Sequence, residues 1–357
     1  MSKPTVSLLQ SSRTLAIGVA GGTAFWLLGL PLPWLSGPAA SVAGMSLAGW
    51  RLGLYAPLRE TAIIVLGLMF GSTVTPDTIA LMPRWPATLL GLVGAILSIM
   101  AAGAWYLERV HKLDRATARL ASMPGTLSFV MVLALETNSD PRRVAIIQVI
   151  RLTAILLLLP SIVTLFGDPV PSGMYRPAGQ TIVKYEQLAL LLAAGFLSAH
   201  LFARLKTPAP QLFGAMLAAA LLYGPGILDS AIPPWTMVPV FVVLGAMIGS
   251  NFLDADLKLF LETVLAGLGS LVVAGLVALA WAVPLAMIVD LPAIQVWLAF
   301  APGGVETTAI LAMALGLDAA FVSSHHIVRV VILNIAVSAW VAPFLRHDDG
   351  EPKTLEE

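Results

Sequence analysis

LASMPGTLSF (120–129) and LAFAPGGVETT (298–308) decide the reading of this chain. Each lies inside a long apolar run and interrupts it with Pro-Gly, which removes a backbone donor and disfavours helical geometry at the residue before the proline. The two breaks stand 178 residues apart, and the same displacement lays VLGLMFGS (65–72) over VLGAMIGS (243–250) with six of eight residues identical. It also lays Leu133-Ala134 over Leu311-Ala312, Asp140 over Asp318, Val144 over Val322 and Arg151 over Arg329. With one residue less, PLPWLSG (31–37) lies over PAPQLFG (208–214). Matches among Leu, Ala and Val are cheap in an apolar chain, but aligned Pro, Gly, Asp and Arg are not. The sequence therefore reads as an internal duplication.

Composition places that duplication in a bilayer. Of 357 residues, 58% are hydrophobic and 11% charged, with a mean hydropathy of +0.89. An ordinary soluble domain carries about a quarter charged residues. Twenty cations balance twenty acids, which removes any global field for nucleic acid or an acidic partner. The absence of cysteine excludes disulfides, thiolate metal sites and Cys nucleophiles. Apolar runs fall at 14–30, 35–50, 60–75, 86–107, 117–136 and 143–166, and again at 187–203, 208–224, 236–252, 263–288, 293–316 and 320–344. This gives a first membrane repeat (1–166), an inter-repeat linker (167–186), a second membrane repeat (187–345) and a polar C-terminal tail (346–357). The basic start and first apolar run resemble a signal peptide, but 14–30 occupies the repeat position of the internal run 187–203 and reads as a retained span.

The fold expected is an all-α polytopic membrane protein, and loop charge orients its halves. If each Pro-Gly run dips in and returns, there are five spans plus one re-entrant helix per repeat, and the repeats are inverted. With the N-terminus cytoplasmic, fifteen cations then lie inside against three outside (Arg84, Arg176 and Lys184). If the run spans, the repeats are parallel and the count falls to twelve against six. The positive-inside bias favours inversion, with both termini in the cytoplasm of a bacterial inner membrane. Single cysteines at Ser139 and Ala319 would then label from opposite faces.

Either arrangement leaves Arg151 and Arg329 at depth. Arg151 lies about 12 Å along its helix from Arg143, and Arg329 about 16 Å from Asp318, at 1.5 Å per residue. Half the hydrocarbon thickness is about 15 Å. Buried guanidiniums suit a carboxylate or phosphate; the structural alternative is an ion pair fastening two helices. Glu306, four residues after Pro302, is a candidate to bind a proton or sodium, or to neutralise an arginine; its repeat mate is Ser128. Pro124 and Gly125, with Pro302, Gly303 and Gly304, would leave helix N-termini facing the centre, where Thr126, Ser128, Thr307 and Thr308 could add polar contacts. Gln148 and His326 share a repeat position three residues before the arginines, hence their face, while His325 points elsewhere. Gly67, Gly71, Gly245 and Gly249 form small-residue packing faces. The Trp and Tyr residues at 34, 50, 55, 85, 105, 106, 185, 223 and 235 read as an interfacial belt.

The segments MPGTLS…DPRRVAIIQVIR and APGGVETTAILAMALGLDAAFVSSHHIVR resemble the AbrB-type duplicated bacterial membrane proteins, over residues 14–345. The first copy departs from the pattern, with Thr126 for the second Gly and Ser128 for Glu. Members carry the labels AbrB family transcriptional regulator and ammonia monooxygenase, and the wider group resembles cation/proton antiporters and anion transporters, whose fold is an inverted repeat with interrupted helices. The residues speak against an enzyme: there are five His, no Cys and no HExxH, so no catalytic residue, metal site or cofactor is expected. No basic soluble module is long enough to bind nucleic acid directly. The expectation is a secondary transporter of a small organic anion coupled to protons or sodium, with the lipid bilayer, the anionic solute and the coupling ion as partners and a homo-oligomer allowed. The alternative is a membrane protein acting indirectly in regulation of gene expression.

Overall fold

The computed structural model describes residues 6–30, 32–74, 76–125, 127–166, 182–207, 209–252 and 257–341. Among them every element is helical apart from one isolated bridge between Ile182 and Ala231. The first half contains α1 (Leu8–Leu27), α2 (Pro33–Leu47), α3 (Ala56–Gly71), α4 (Pro76–Leu81), α5 (Trp85–Arg109), α6 (Arg115–Ser122), α7 (Leu127–Glu136) and α8 (Pro141–Phe166). The second contains α9 (Tyr185–Arg204), α10 (Pro210–Tyr223), α11 (Met237–Gly249), α12 (Leu257–Val289), α13 (Ala293–Phe300), α14 (Val305–Ala314) and α15 (Ala319–Val341).

Local chemistry sets these boundaries. Asp114 accepts a hydrogen bond from the Thr117 amide (2.9 Å) to start α6. Asp140 accepts from Arg142 (3.0 Å) at the start of α8, and Asp318 from Phe321 (2.9 Å) at the start of α15. Each satisfies an amide that the first helical turn leaves without a partner. Met123 and Ala301, which precede the prolines, are extended (ψ 126° and 141°), so α6 and α13 end there. The starts of α13, α14 and α15 lie 178 residues after those of α6, α7 and α8. Left-handed backbone recurs at matching places too, at Leu32 (φ 48°) and Ala209 (φ 45°), and at Lys112 (φ 55°) and Asp290 (φ 56°). Such residues carry strain of about 1–2 kcal/mol each.

Three helices, Trp85–Arg109, Tyr185–Arg204 and Leu257–Val289, are long and apolar enough to cross a membrane. Their outer faces expose large apolar side chains such as Leu90, Leu97, Leu197, Leu201, Leu265 and Leu276, far more than a soluble surface carries.

The helices gather into two bundles, one of α1–α3 and α9–α11 and one of α5–α8 and α12–α15, with thinner contacts between them from α2 and α11 to α8 and from α3 to α14 and α15. In the first bundle, a Cβ on Gly67 would stand 2.5 Å from the Leu212 carbonyl, and one on Gly71 would meet that of Met216. The mates repeat the contact across the halves: Gly245 faces the Leu35 carbonyl and Gly249 that of Ala39, at 2.6 Å. Residue numbers rise together in both contacts, so α3 runs parallel to α10 and α11 to α2. In the second bundle, Gly91 meets Leu285, Gly94 meets Trp281, and Gly269 meets Tyr106. There the numbers run oppositely, so α5 and α12 are antiparallel.

Several sequence expectations shift. The first helix starts at Leu8 rather than 14 because Ser7 caps it through the Gln10 amide (3.1 Å). The run 117–136 is two helices, and so is 293–316. A short helix, α4, lies between the third and fourth runs. Of the linker 167–186, residues 167–181 lie outside the described residues, as does the tail 346–357. The aromatic belt loses one member to the interior and part of another. Tyr223 is buried with its hydroxyl donating to the Ser230 carbonyl (2.8 Å), and Trp85 packs edge-on against Phe321.

Candidate functional site

A helix that ends inside a protein leaves its last carbonyls without helical partners. The two Pro-Gly breaks create that problem twice, and side chains of α8 and α15 answer it. In the first half Gln148 Nε2 donates to the carbonyls of Leu120 (3.1 Å), Ala121 (3.3 Å) and Met123 (2.9 Å). Arg151 Nη2 donates to Met123 O (3.0 Å) and to Gln148 Oε1 (2.5 Å), and Nη1 reaches Ala121 O at 3.5 Å. In the second half Arg329 donates through Nη1 to Ala301 O (2.7 Å) and through Nη2 to Gly303 O (2.6 Å). His326 Nε2 lies 2.9 Å from Leu298 O. Leu298 and Ala301 are the repeat mates of Leu120 and Met123, so the same pair of positions closes the same carbonyls in both halves. A cation at a helix C-terminus also complements the negative end of its dipole.

The four side chains are buried, with Gln148 and His326 at 0% exposure, Arg151 at 2% and Arg329 at 3%. The structure thus brings Gln148 and Arg151 to the first break and His326 and Arg329 to the second. Pro124, Pro302 and Gly303 are buried there, and Gly125 and Gly304 are partly buried. Thr308 extends the second site: its hydroxyl donates to Gly304 O (3.0 Å) and stands 2.9 Å from His326 Nε2. Thr307 is buried on the same turn. The start of α14 at Gly304 has no side-chain cap. Thr126 lies outside the described residues, and so do the side chains of Ser128 and Glu306. His325 turns toward α5, its Nε2 2.8 Å from Thr88 Oγ1 and its Nδ1 2.8 Å from Phe321 O.

The sites approach one another. A Cβ on Gly303 would lie 3.4 Å from Ile155, one turn beyond Arg151. Arg119 of α6 donates to the Trp340 carbonyl (3.3 Å) near the end of α15, and Trp340 Nε1 donates back to Arg119 O (3.2 Å). The start of α8 is at that same end, where the Asp140 amide donates to Thr117 Oγ1 of α6 (2.7 Å). So α15 ends where α8 begins. At the opposite pole the Asp318 amide donates to Gln295 Oε1 (3.2 Å). Thr117 and Gln295 are repeat mates that sequence reading missed. Their signal was a polar residue on each half-helix in line with an aspartate cap, concealed by the change from Thr to Gln. A separate apolar cavity of about 370 Å³ between α3, α9 and α11 has none of these residues in its walls.

An all-helical, membrane-type chain with paired helix breaks is what the fold and site define, and its family follows from comparison: residues 34–345 match the family described as "Transition state regulatory protein AbrB", and the chain belongs to it. It is similar to the Bacillus subtilis (strain 168) protein named "Uncharacterized protein YhjN", 27% identical over 98% of this chain and 97% of that one. It is also similar to the Escherichia coli (strain K12) protein named "Putative regulator AbrB", 24% identical over 94% of this chain and 98% of that one.

Proposed function

We propose that the chain is a secondary transporter of the bacterial inner membrane, carrying a small organic anion coupled to protons or sodium. Its halves are inverted repeats of about five spans and one broken, re-entrant helix each, with both termini cytoplasmic. Two observations support inversion. The repeat mates α5 and α12 run antiparallel, and α8 begins where its mate α15 ends. Interrupted helices meeting near mid-membrane in inverted halves are the architecture of alternating-access carriers.

The observation that carries the reading is the pair of breaks, each closed by a buried arginine from the crossing helix. Their Nη groups are engaged on carbonyls, so the anion would be drawn by the two retained charges, by the uncapped start of α14, and by Arg151 Nε, which is buried with no hydrogen-bond partner. Non-helical backbone at depth is stable only beside protein or a water-filled cavity. No catalytic or metal-dependent reaction is proposed.

Purified protein in liposomes, offered radiolabelled mono- and dicarboxylates under an imposed pH or sodium gradient, should accumulate at least one of them. A folded Arg329→Ala variant that transports normally would sink the site assignment. The name of the Escherichia coli relative favours a second reading, indirect action on gene expression. On that reading this chain would bind a ligand without turnover.

A further inference from the structure

The two breaks differ in one chemical respect. The carbonyls of the first are closed by an amide and a guanidinium, neither of which changes charge in the physiological range. Those of the second are closed by a guanidinium and an imidazole, which does. Gln148 and His326 are repeat mates, donating to the mate carbonyls of Leu120 and Leu298. His326 Nε2 faces a carbonyl, which can only accept, so Nε2 carries the hydrogen. Thr308 Oγ1 shares that hydrogen, since its own goes to Gly304 O. Nδ1 is therefore left as a lone pair, fully buried and without a hydrogen-bond partner.

The carbonyls themselves are taken. Sodium at a broken membrane helix is held by freed backbone oxygens. Here Ala121, Met123, Ala301 and Gly303 already accept from Arg151 and Arg329. The arginines stand as built-in cations where a dissolved one would bind.

We propose that the coupling ion is a proton bound at Nδ1 of His326, that it acts on the second break alone, and that neither break binds sodium. This rests on the transporter reading and selects between its two ions. In this step a hydronium ion gives its proton to the Nδ1 lone pair: one O–H bond breaks, one N–H bond forms and a water molecule leaves. The imidazolium then faces the Arg329 guanidinium one turn away on α15, with His325 beside it. Like charges in a dry site repel strongly, and the strain is relieved by parting α15 from Ala301 and Gly303. Of the other packed elements, α13 offers the Leu298 carbonyl and α14 the Thr308 hydroxyl, with the Glu306 side chain outside the described residues. From α5, Thr88 faces His325. From α6, Arg119 is engaged at Trp340. Arg59 and Glu60 stand at the start of α3, and Asp318 lies about 12 Å away along α15.

The native chain has no cysteine, which gives a direct test. Ala301→Cys, buried at the second break, is labelled with a small neutral thiol reagent in the native background and in His326→Gln, at matched pH so that thiolate reactivity cancels. Labelling should be about threefold or more faster in the native background near pH 5.5 and equal near pH 8. Equal rates at every pH overturn the proposal, and so does an acid response that survives His326→Gln but is lost in Glu306→Gln. Gln already does this work at position 148, so the variant should fold. If it does not, Gln148→His with Met123→Cys carries the test: acid-dependent opening of the first break supports the proposal and its absence overturns it. Replacing potassium chloride by sodium chloride should change neither rate, and protection by sodium at either break overturns it. A chain that opens with acid yet moves no anion in liposomes would refute the transporter reading while leaving the proton site standing.

Discussion

Arg151 and Arg329 look alike in sequence, but their neighbours make them unequal. Gln148 donates to the same Ala121 and Met123 carbonyls as Arg151, so Arg151→Ala leaves them partly served. His326 donates to Leu298 and not to Ala301 or Gly303, so Arg329→Ala takes the guanidinium bond from the Gly303 carbonyl, while Ala301 O keeps the Gly303 amide at 2.8 Å. Leaving buried acceptors unmet costs about 1–3 kcal/mol each. Arg329→Ala should therefore lose about 1–3 kcal/mol, and visibly more than Arg151→Ala, in thermal unfolding of the detergent-solubilised protein. The aspartate that caps α15 carries a pH dependence of its own. Burial pushes the Asp318 carboxyl above its ordinary value, while the Phe321 and Ala320 amides pull it back. A carboxyl raised in the folded state binds its proton more tightly there, so its contribution falls as pH rises from the ordinary carboxylate value through the raised one. Asn caps as well as Asp, so Asp318→Asn should hold or raise Tm at neutral pH and flatten that dependence. The residues were legible in sequence but their targets were not. A guanidinium at depth suggests a ligand when only side chains can be read, whereas its partners here are carbonyls that exist because Met123 and Ala301 precede prolines.

At the scale of elements, the duplicated glycines were read as packing faces, and the structure supplies what they pack against. Gly67 and Gly71 of α3 meet the α10 backbone, and Gly245 and Gly249 of α11 meet that of α2. Periodicity could expose the small-residue faces but not that each half fastens the other, because nothing in a helix's own pattern names its partner. A methyl at Gly71 must push away the Met216 carbonyl, so Gly71→Ala should cost about 1–3 kcal/mol. Gly44→Ala on α2 meets nothing within 4 Å and should be neutral or gain up to about 1 kcal/mol. Thermal unfolding of the two variants side by side checks both, and equal losses would contradict the close approach. The broken runs taught the complementary lesson. Hydropathy showed a continuous segment at 117–136, while the single dipeptide Pro124-Gly125 carried the fact that it is two helices.

Across the whole molecule, the sequence argues for the proposed inversion only through the positions of charged loops, since repeat identity is blind to direction. Helix packing adds direction independently, through the antiparallel mates α5 and α12 and the parallel pairs α3 with α10 and α2 with α11. A carrier built this way requires its two breaks to face opposite sides of the membrane. Ser139 and Ala319 would report those sides, but both are buried. The exposed mates Lys112 and Asp290, which precede α6 and α13, serve better. The measurement is labelling of single Lys112→Cys and Asp290→Cys variants with a membrane-impermeant thiol reagent on spheroplasts, before and after permeabilisation. The inverted carrier predicts that Asp290→Cys reacts on intact spheroplasts and Lys112→Cys only once the inner membrane is opened. Reaction of both from the same face would contradict it.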